Sequence, residues 1–208
     1  MVDDIQQNLQ NFTLDDLARF TSEHVFSPQC SPDFRIFFSG QDDIHGVLYE
    51  LFSRVTRSLY LSMYGFDDNQ INDVIMQKVL DPNIIVWVSL DASQAGGKHE
   101  RALLDADRQQ NLVDFQTHFA IGQSPYHRIL HTKAACFDDL IAIEGSVNLS
   151  NDGEGTFVIG SNVPGGTGYA AQANSLTVFT SPDAINRLRN RLITEHLCIQ
   201  KQQLAKGG

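Results

Sequence analysis

Apolar residues recur along this chain with two periods, and the periods alternate. FRIFFSG, starting at Phe34, reads as a strand. DIHGVLYELFSRVT then sets Ile44, Val47, Leu48, Leu51, Phe52 and Val55 at helical spacing. SLYLSMYGF reads as a strand, NQINDVIMQKVL as a helix, and NIIVWVSLD as the near-continuous apolar run of a strand buried on both faces. HERALLDADRQ continues as a helix and LVDFQTHF as a strand. Two more strands, RILHTKAACF and LIAIEGSV, follow. NSLTVFT is the last strand, and Ser181-Pro182 opens the helix DAINRLRNRLITEHL.

Strands alternating with helices predict an α/β domain: a mixed, largely parallel sheet flanked by helices on both faces. Ahead of it, Thr13 caps a helix over LDDLARFTSEHVF, with Asp15 and Asp16 in its first turn, and SPQCSPD breaks the chain. The expected organisation is a helical extension over 1–32, one main domain over 33–200, and a tail over 201–208. The glycine-rich stretch 150–173 reads as a long loop with a short hairpin around TFVIG, and loops of that length tend to be functional or mobile.

Composition narrows the function classes. The chain has 208 residues, 42% of them apolar, enough for one domain with a real core. No window approaches the eighteen apolar residues of a membrane span. The acidic, polar start lacks the pattern of a signal peptide, so a cytoplasmic location and no stable membrane association are expected. Cys30, Cys136 and Cys198 form neither a disulfide framework nor a zinc pattern, and Cys136 reads as a small core residue. The net charge of −10 repels polyanions, so an anionic substrate needs a local basic patch.

Such a patch falls in HRILHTKAACFDDLIAIEGSVN. His127, Arg128, His131 and Lys133 stand within seven positions. On a strand, His131 and Lys133 would share a face. An imidazole beside a fixed ammonium suits attack on a phosphodiester, with lysine balancing the anionic oxygens. Ser146 and Asn148 can donate hydrogen bonds to the same oxygens, and Gly145 allows close backbone approach. Arg187 and Arg191, four apart on the last helix, either extend the patch or form surface ion pairs. His24, His45, His118 and His196 carry no partner pattern, and Asp67-Asp68 reads as a helix cap rather than a metal ligand.

His131-x-Lys133, Asp138 and Gly145-Ser146-x-Asn148 resemble the HxKxxxxD–GSxN signature of the phospholipase D superfamily, with both internal spacings intact. The segments from FFSGQ to VWVSLDASQ resemble the front half of that fold, and the resemblance covers roughly residues 34 to 197. It implies a phospholipase D-like catalytic domain, no metal and no cofactor. Because the motif occurs once, it implies a homodimer in which each subunit supplies His131, Lys133 and Asn148 to a shared site. His131 would form a phosphohistidine; Asp138 would be structural. Short single-motif members are mostly nucleases, which makes nucleic acid the expected substrate. A phospholipid-headgroup hydrolase and a weakly active nucleic-acid- or protein-binding module are the alternatives. The chain departs from the family in one place. ANSLTVF keeps Asn174 but sets Leu176 where a glutamate orients the nucleophile, and Glu154 is the candidate to replace it.

Overall fold

The structure, a computed structural model, describes residues 8–94, 118–156 and 171–207. The helix expected over HERALLDADRQ, most of the strand LVDFQTHF and the hairpin around TFVIG lie outside those residues.

A seven-stranded sheet organises the domain. Its strands are β1 (Phe34–Phe38), β2 (Ser58–Met63), β3 (Ile85–Asp91), β4 (Phe119–Gly122), β5 (Ala134–Phe137), β6 (Ile141–Gly145) and β7 (Ser175–Phe179), in the order β1-β7-β6-β5-β2-β3-β4. β2–β3 and β3–β4 pair in parallel, and the other neighbours pair antiparallel. Strands β1, β2, β3, β4 and β6 therefore run one way, and only β5 and β7 run back. The sheet is mixed, and the fold class is the expected one.

Helices α1 (Ile44–Ser53) and α2 (Asn69–Val79) start where the sequence places them. Asp43 and Asp68 accept the orphan N–H groups of Gly46 and Ile71 in their first turns. Both helices bury their apolar stripes in one layer with Leu59, Leu61, Val86, Val88, Phe137 and Ile143. Helix α4 (Pro182–Gly207) crosses the opposite face, packing Ile185 and Leu192 on Ala134, Cys136 and Ala142. It includes residues 201–207, which had been expected to form a tail.

Other elements also differ from the sequence reading, among them a short helix, Asn151–Glu154, inside the stretch expected to be a loop. The N-terminal helix is a 3-10 segment, Leu14–Phe20, which stops where Thr21 turns extended; beyond it His24 takes left-handed backbone (φ 56°) and its ring bonds back to the Arg19 carbonyl. The strand expected over RILHTKAACF begins only at Ala134. Upstream, the Leu130 N–H is taken by the buried Asp91 carboxylate instead of a strand partner.

Cys136 is fully buried, and desolvation pushes its thiol up to about 12. Cys30 is exposed. Iodoacetamide at pH 8 should label Cys30 and spare Cys136 in the native protein, as read by mass spectrometry. Equal labelling of both would show that the α4 layer is not closed over β5.

Candidate active site

The sheet end where β5 begins and β6 finishes gathers the motif. The segment leading into β5 is irregular, and buried carboxylates hold it on both sides of His131. Asp91, 1% exposed at the end of β3, accepts the Leu130 N–H. Glu195 of α4 is 0% exposed and accepts from Thr132 Oγ1 (3.2 Å), Ser62 Oγ (3.1 Å) and Arg191 Nε (2.7 Å). Charges buried this deeply survive only with such partners, so each acts as a fixed anchor for the backbone it touches.

Between these anchors His131 is exposed and Lys133 is buried. They do not lie on a hydrogen-bonded strand, yet they meet on one aromatic ring. The His131 imidazole packs edge-on against Tyr64 with centroids 4.9 Å apart, and Lys133 Nζ stands 5.2 Å above the same ring. Lys133 Nζ also donates to the His131 carbonyl at 3.1 Å. Burial lowers the Lys133 pKa. No carboxylate pairs with it among the described residues, so its charge is poorly solvated and available to an anion.

Asn148 arrives on the loop after β6. Its Oδ1 accepts the Gly65 N–H (3.2 Å), next in the chain to Tyr64, and leaves its NH2 as a donor. Leu149 seals that loop against the end of β2, donating to the Gly65 carbonyl and accepting from Asp67 and Asp68 N–H. Ser146 Oγ accepts the Ser175 N–H (3.0 Å) and stitches β6 to β7. Gly145 answers to the same seam: a Cβ there would stand 2.2 Å from the Ser175 carbonyl oxygen.

Asp138 lies at the far end of β5, roughly 15 Å along the strand from Lys133. Both it and Asp139 take positive φ in the tight turn into β6, closed by Leu140 N donating to Phe137 O. Its carboxylate accepts the N–H groups of Thr56, Arg57 and Ser58 and the Thr56 hydroxyl. It fastens the start of β2. His127 occupies a turn with φ 58° and is exposed, its N–H donating to Ser124 O. Arg128 lines a cleft of about 460 Å³ together with Tyr126, His131, Lys133, Gly145 and Arg191.

Glu154 is brought to a different histidine. It ends the short helix α3 (Asn151–Glu154), capped by Ser150 and closed by Gly155 in left-handed backbone. Its Oε2 lies 2.7 Å from His45 Nδ1, and Asp68 Oδ2 lies 2.9 Å from the same nitrogen. His45 Nε2 meets Gln70 Oε1 at 3.1 Å. The Asp68 and then Glu154 hydrogen bonds raise His45 to about 11. Burial is the largest single influence on Asp68 and works to raise it, but the His45 bond and charge and the Ile71 and Gln70 N–H groups together outweigh it, and the net shift is downward. Glu154 is pushed up to about 7, by burial first, against the His45 bond, with Asp68 adding repulsion. Leu176 is 2% exposed in the apolar layer, paired in register with Phe37 and Gly145, while Asn174 Nδ2 donates to the Gly153 carbonyl (2.9 Å).

Tyr64, Asp91, Glu195 and the His45 cluster were not picked out from the sequence. Tyr64 had one usable signal, its place directly after a strand that ends at the motif's side of the sheet. The others carry none in their spacing.

No protein-family model and no curated protein matches the sequence. Solved structures do match the fold. A phospholipase D family member, Nuc, from Salmonella typhimurium, aligns at TM-score 0.55 and 13% identity, over 78% of this chain and 92% of that one. NucT from Helicobacter pylori aligns at 0.53 and 16% identity, over 78% and 96%. Phosphatidylserine synthase from Haemophilus influenzae Rd KW20 aligns at 0.55 and 15%, over 84% of this chain but 38% of its own.

The role of Asp138 is testable without any activity. Asp138→Ala strands three backbone N–H groups at the start of β2, so urea unfolding should show a loss of about 3 kcal/mol. Asp138→Asn, which keeps an acceptor, should lose less. No loss in the alanine variant would remove Asp138 as the β2 anchor.

Proposed function

We propose that this chain, which carries the fold of the phospholipase D family, belongs to that superfamily and is a metal-independent phosphodiesterase, most specifically a nuclease working as a homodimer. The observation that carries the reading is the meeting of His131 and Lys133 on the Tyr64 ring, with the Asn148 amide fixed to the next residue, Gly65. One nucleophile and two donors then address one phosphate.

In the reaction a ring nitrogen of His131 attacks phosphorus. A P–N bond forms, the P–O bond to the leaving group breaks, and the leaving oxygen takes a proton from His131 of the partner subunit. Water then attacks phosphorus, gives its proton to the partner's His131, and the P–N bond breaks. Lys133 and the Asn148 NH2 balance charge on the non-bridging oxygens. The Ser146 hydroxyl, whose oxygen already accepts from Ser175, keeps its hydrogen for the same purpose. Asp138 and Gly145 act through the strand ends that they hold in place.

Nucleic acid is favoured by the cleft. Arg128 and Lys133 supply positive charge in a chain that is otherwise acidic, and Tyr126, 72% exposed with the Glu195-paired Arg191 guanidinium 5.6 Å above its ring, offers a face for a base. Among the described residues no helix is long and apolar enough to cross a membrane. Dimerisation is supported by a bare apolar stripe: Phe34, Ile36 and Phe38 of β1 are all exposed. In register Ile36 lies beside Thr177, and Thr177 beside Glu144, which lines the cleft. The stripe is thus on the cleft's face of the sheet, roughly 10 Å away.

Single-stranded DNA, RNA and phosphatidylcholine vesicles, assayed without added metal, discriminate the readings. Cleavage of nucleic acid alone is expected. Vesicle hydrolysis would make the chain a phospholipid-headgroup hydrolase, and nucleic-acid binding without turnover would make it a binding module. His131→Ala should abolish turnover, and Lys133→Ala should cost on the order of a hundredfold; near-wild-type rates in either would place the chemistry elsewhere.

Sedimentation at micromolar concentration should give a dimer. Ile36→Asp should yield a folded monomer with little activity. A fully active monomer would refute the shared site.

A further inference from the structure

His45, Asp68 and Glu154 come from α1, the cap of α2 and the end of α3, and their ligating atoms all lie within 4.8 Å of one another. The Asp68 and Glu154 side chains are 4% and 0% exposed, and that of His45 is 17% exposed. Two carboxylates buried side by side demand a cation. A proton on His45 can balance only one of the two carboxylates. It also leaves Glu154 Oε1, fully buried, without any donor. A divalent ion would balance both charges and give that oxygen a partner.

The histidine is set up for the exchange. Its Nε2 meets the Gln70 amide oxygen, which only accepts, so the ring hydrogen of the neutral tautomer belongs on Nε2. The Nδ1 lone pair then points between the two carboxylates. A metal-binding histidine is held in this way by an acceptor on its other nitrogen. One imidazole nitrogen and two carboxylate oxygens form a borderline donor set. It suits zinc and its transition-metal neighbours, whereas calcium and magnesium prefer oxygen alone. Tetrahedral arms of about 2.0–2.1 Å put ligand atoms roughly 3.3 Å apart. The observed 2.7 and 2.9 Å would open by about half an ångström when the proton leaves.

We propose that His45, Asp68 and Glu154 bind a divalent transition-metal ion of the zinc class that fastens the Asn148 loop to α1 and α2. The link to that loop is short. Gly153 packs so closely on Asn148 that a Cβ there would stand 2.6 Å from the Asn148 carbonyl oxygen, and Asp68 N–H donates to Leu149 O. The ion is a structural tie and takes no part in the proposed phosphoryl chemistry, so the test reads binding.

Zinc chloride is titrated into the untagged, metal-stripped full chain by calorimetry, with the melting temperature followed in parallel. The wild type should take up one ion per chain with a rise in melting temperature, and millimolar Mg²⁺ should not compete. Glu154→Gln and Asp68→Asn should each weaken binding at least tenfold, the second while keeping an N-cap for α2. For a variant that does not fold, the His45 ring ¹⁵N resonances of the wild type give the same reading, since zinc must move the Nδ1 signal. No saturable uptake, an unmoved Nδ1 signal, or unchanged affinity in the two folded variants would overturn the proposal.

Discussion

Everything at the candidate active site depends on holding six irregular residues, 128–133, where a strand would otherwise run. Backbone outside a strand has no continuous ladder to fix it, and His131 needs a fixed position to serve as the proposed nucleophile. The fold meets this with buried carboxyl groups that accept hydrogen bonds from this segment. Asp91 takes the N–H one residue before His131, and Glu195 takes the hydroxyl one residue after it. A buried carboxylate has few alternatives once its partner is lost, so these bonds position more stringently than exposed ones of the same length. Tyr64 completes the arrangement from below, giving the imidazole an edge contact and the ammonium a π face.

Much of this was legible in the sequence, for identifiable reasons. Alternating periods gave the order of the described strands and of helices α1, α2 and α4, Asp68 marked a helix start, and the HxK–GSxN spacing brought the motif residues together. Spacing says nothing about groups that a crossover brings together. Glu154 and His45 are 109 residues apart and meet only because α3 packs against α1. The expectation that Glu154 accompanies His131 rests on the family resemblance, in which Leu176 stands where an orienting glutamate belongs and Glu154 is the candidate to replace it. Its short helix, capped at Ser150 and stopped at Gly155, directs the carboxylate inward to His45. Leu176 has a related explanation: its register on β7 turns it into the apolar layer, where a carboxylate would need its own partner.

The two ionic assemblies divide the labour across the sheet. On the α4 face, Glu195 binds the loop that carries His131. On the α1–α2 face, the His45 group binds the loop that carries Asn148. The groups proposed to react thus hang from opposite layers and meet at the strand ends, so their separation is set by the thickness and stiffness of the sheet between them.

The pairing of β1 with β7 also shapes how the chain can be made. Residues 34–38 emerge from a ribosome well before residues 175–179, which are their hydrogen-bonded neighbour in the sheet among the described residues. Until those appear, β1 is an edge without a partner, carrying three large apolar side chains that stay uncovered even in the finished subunit. The β1–β7 seam joins strands that lie far apart in the sequence, and such distant closures are slow. During that delay a nascent chain exposes a sticky ribbon. Synthesis at high concentration should therefore put this protein at risk of aggregating through its first strand, before its chemistry exists.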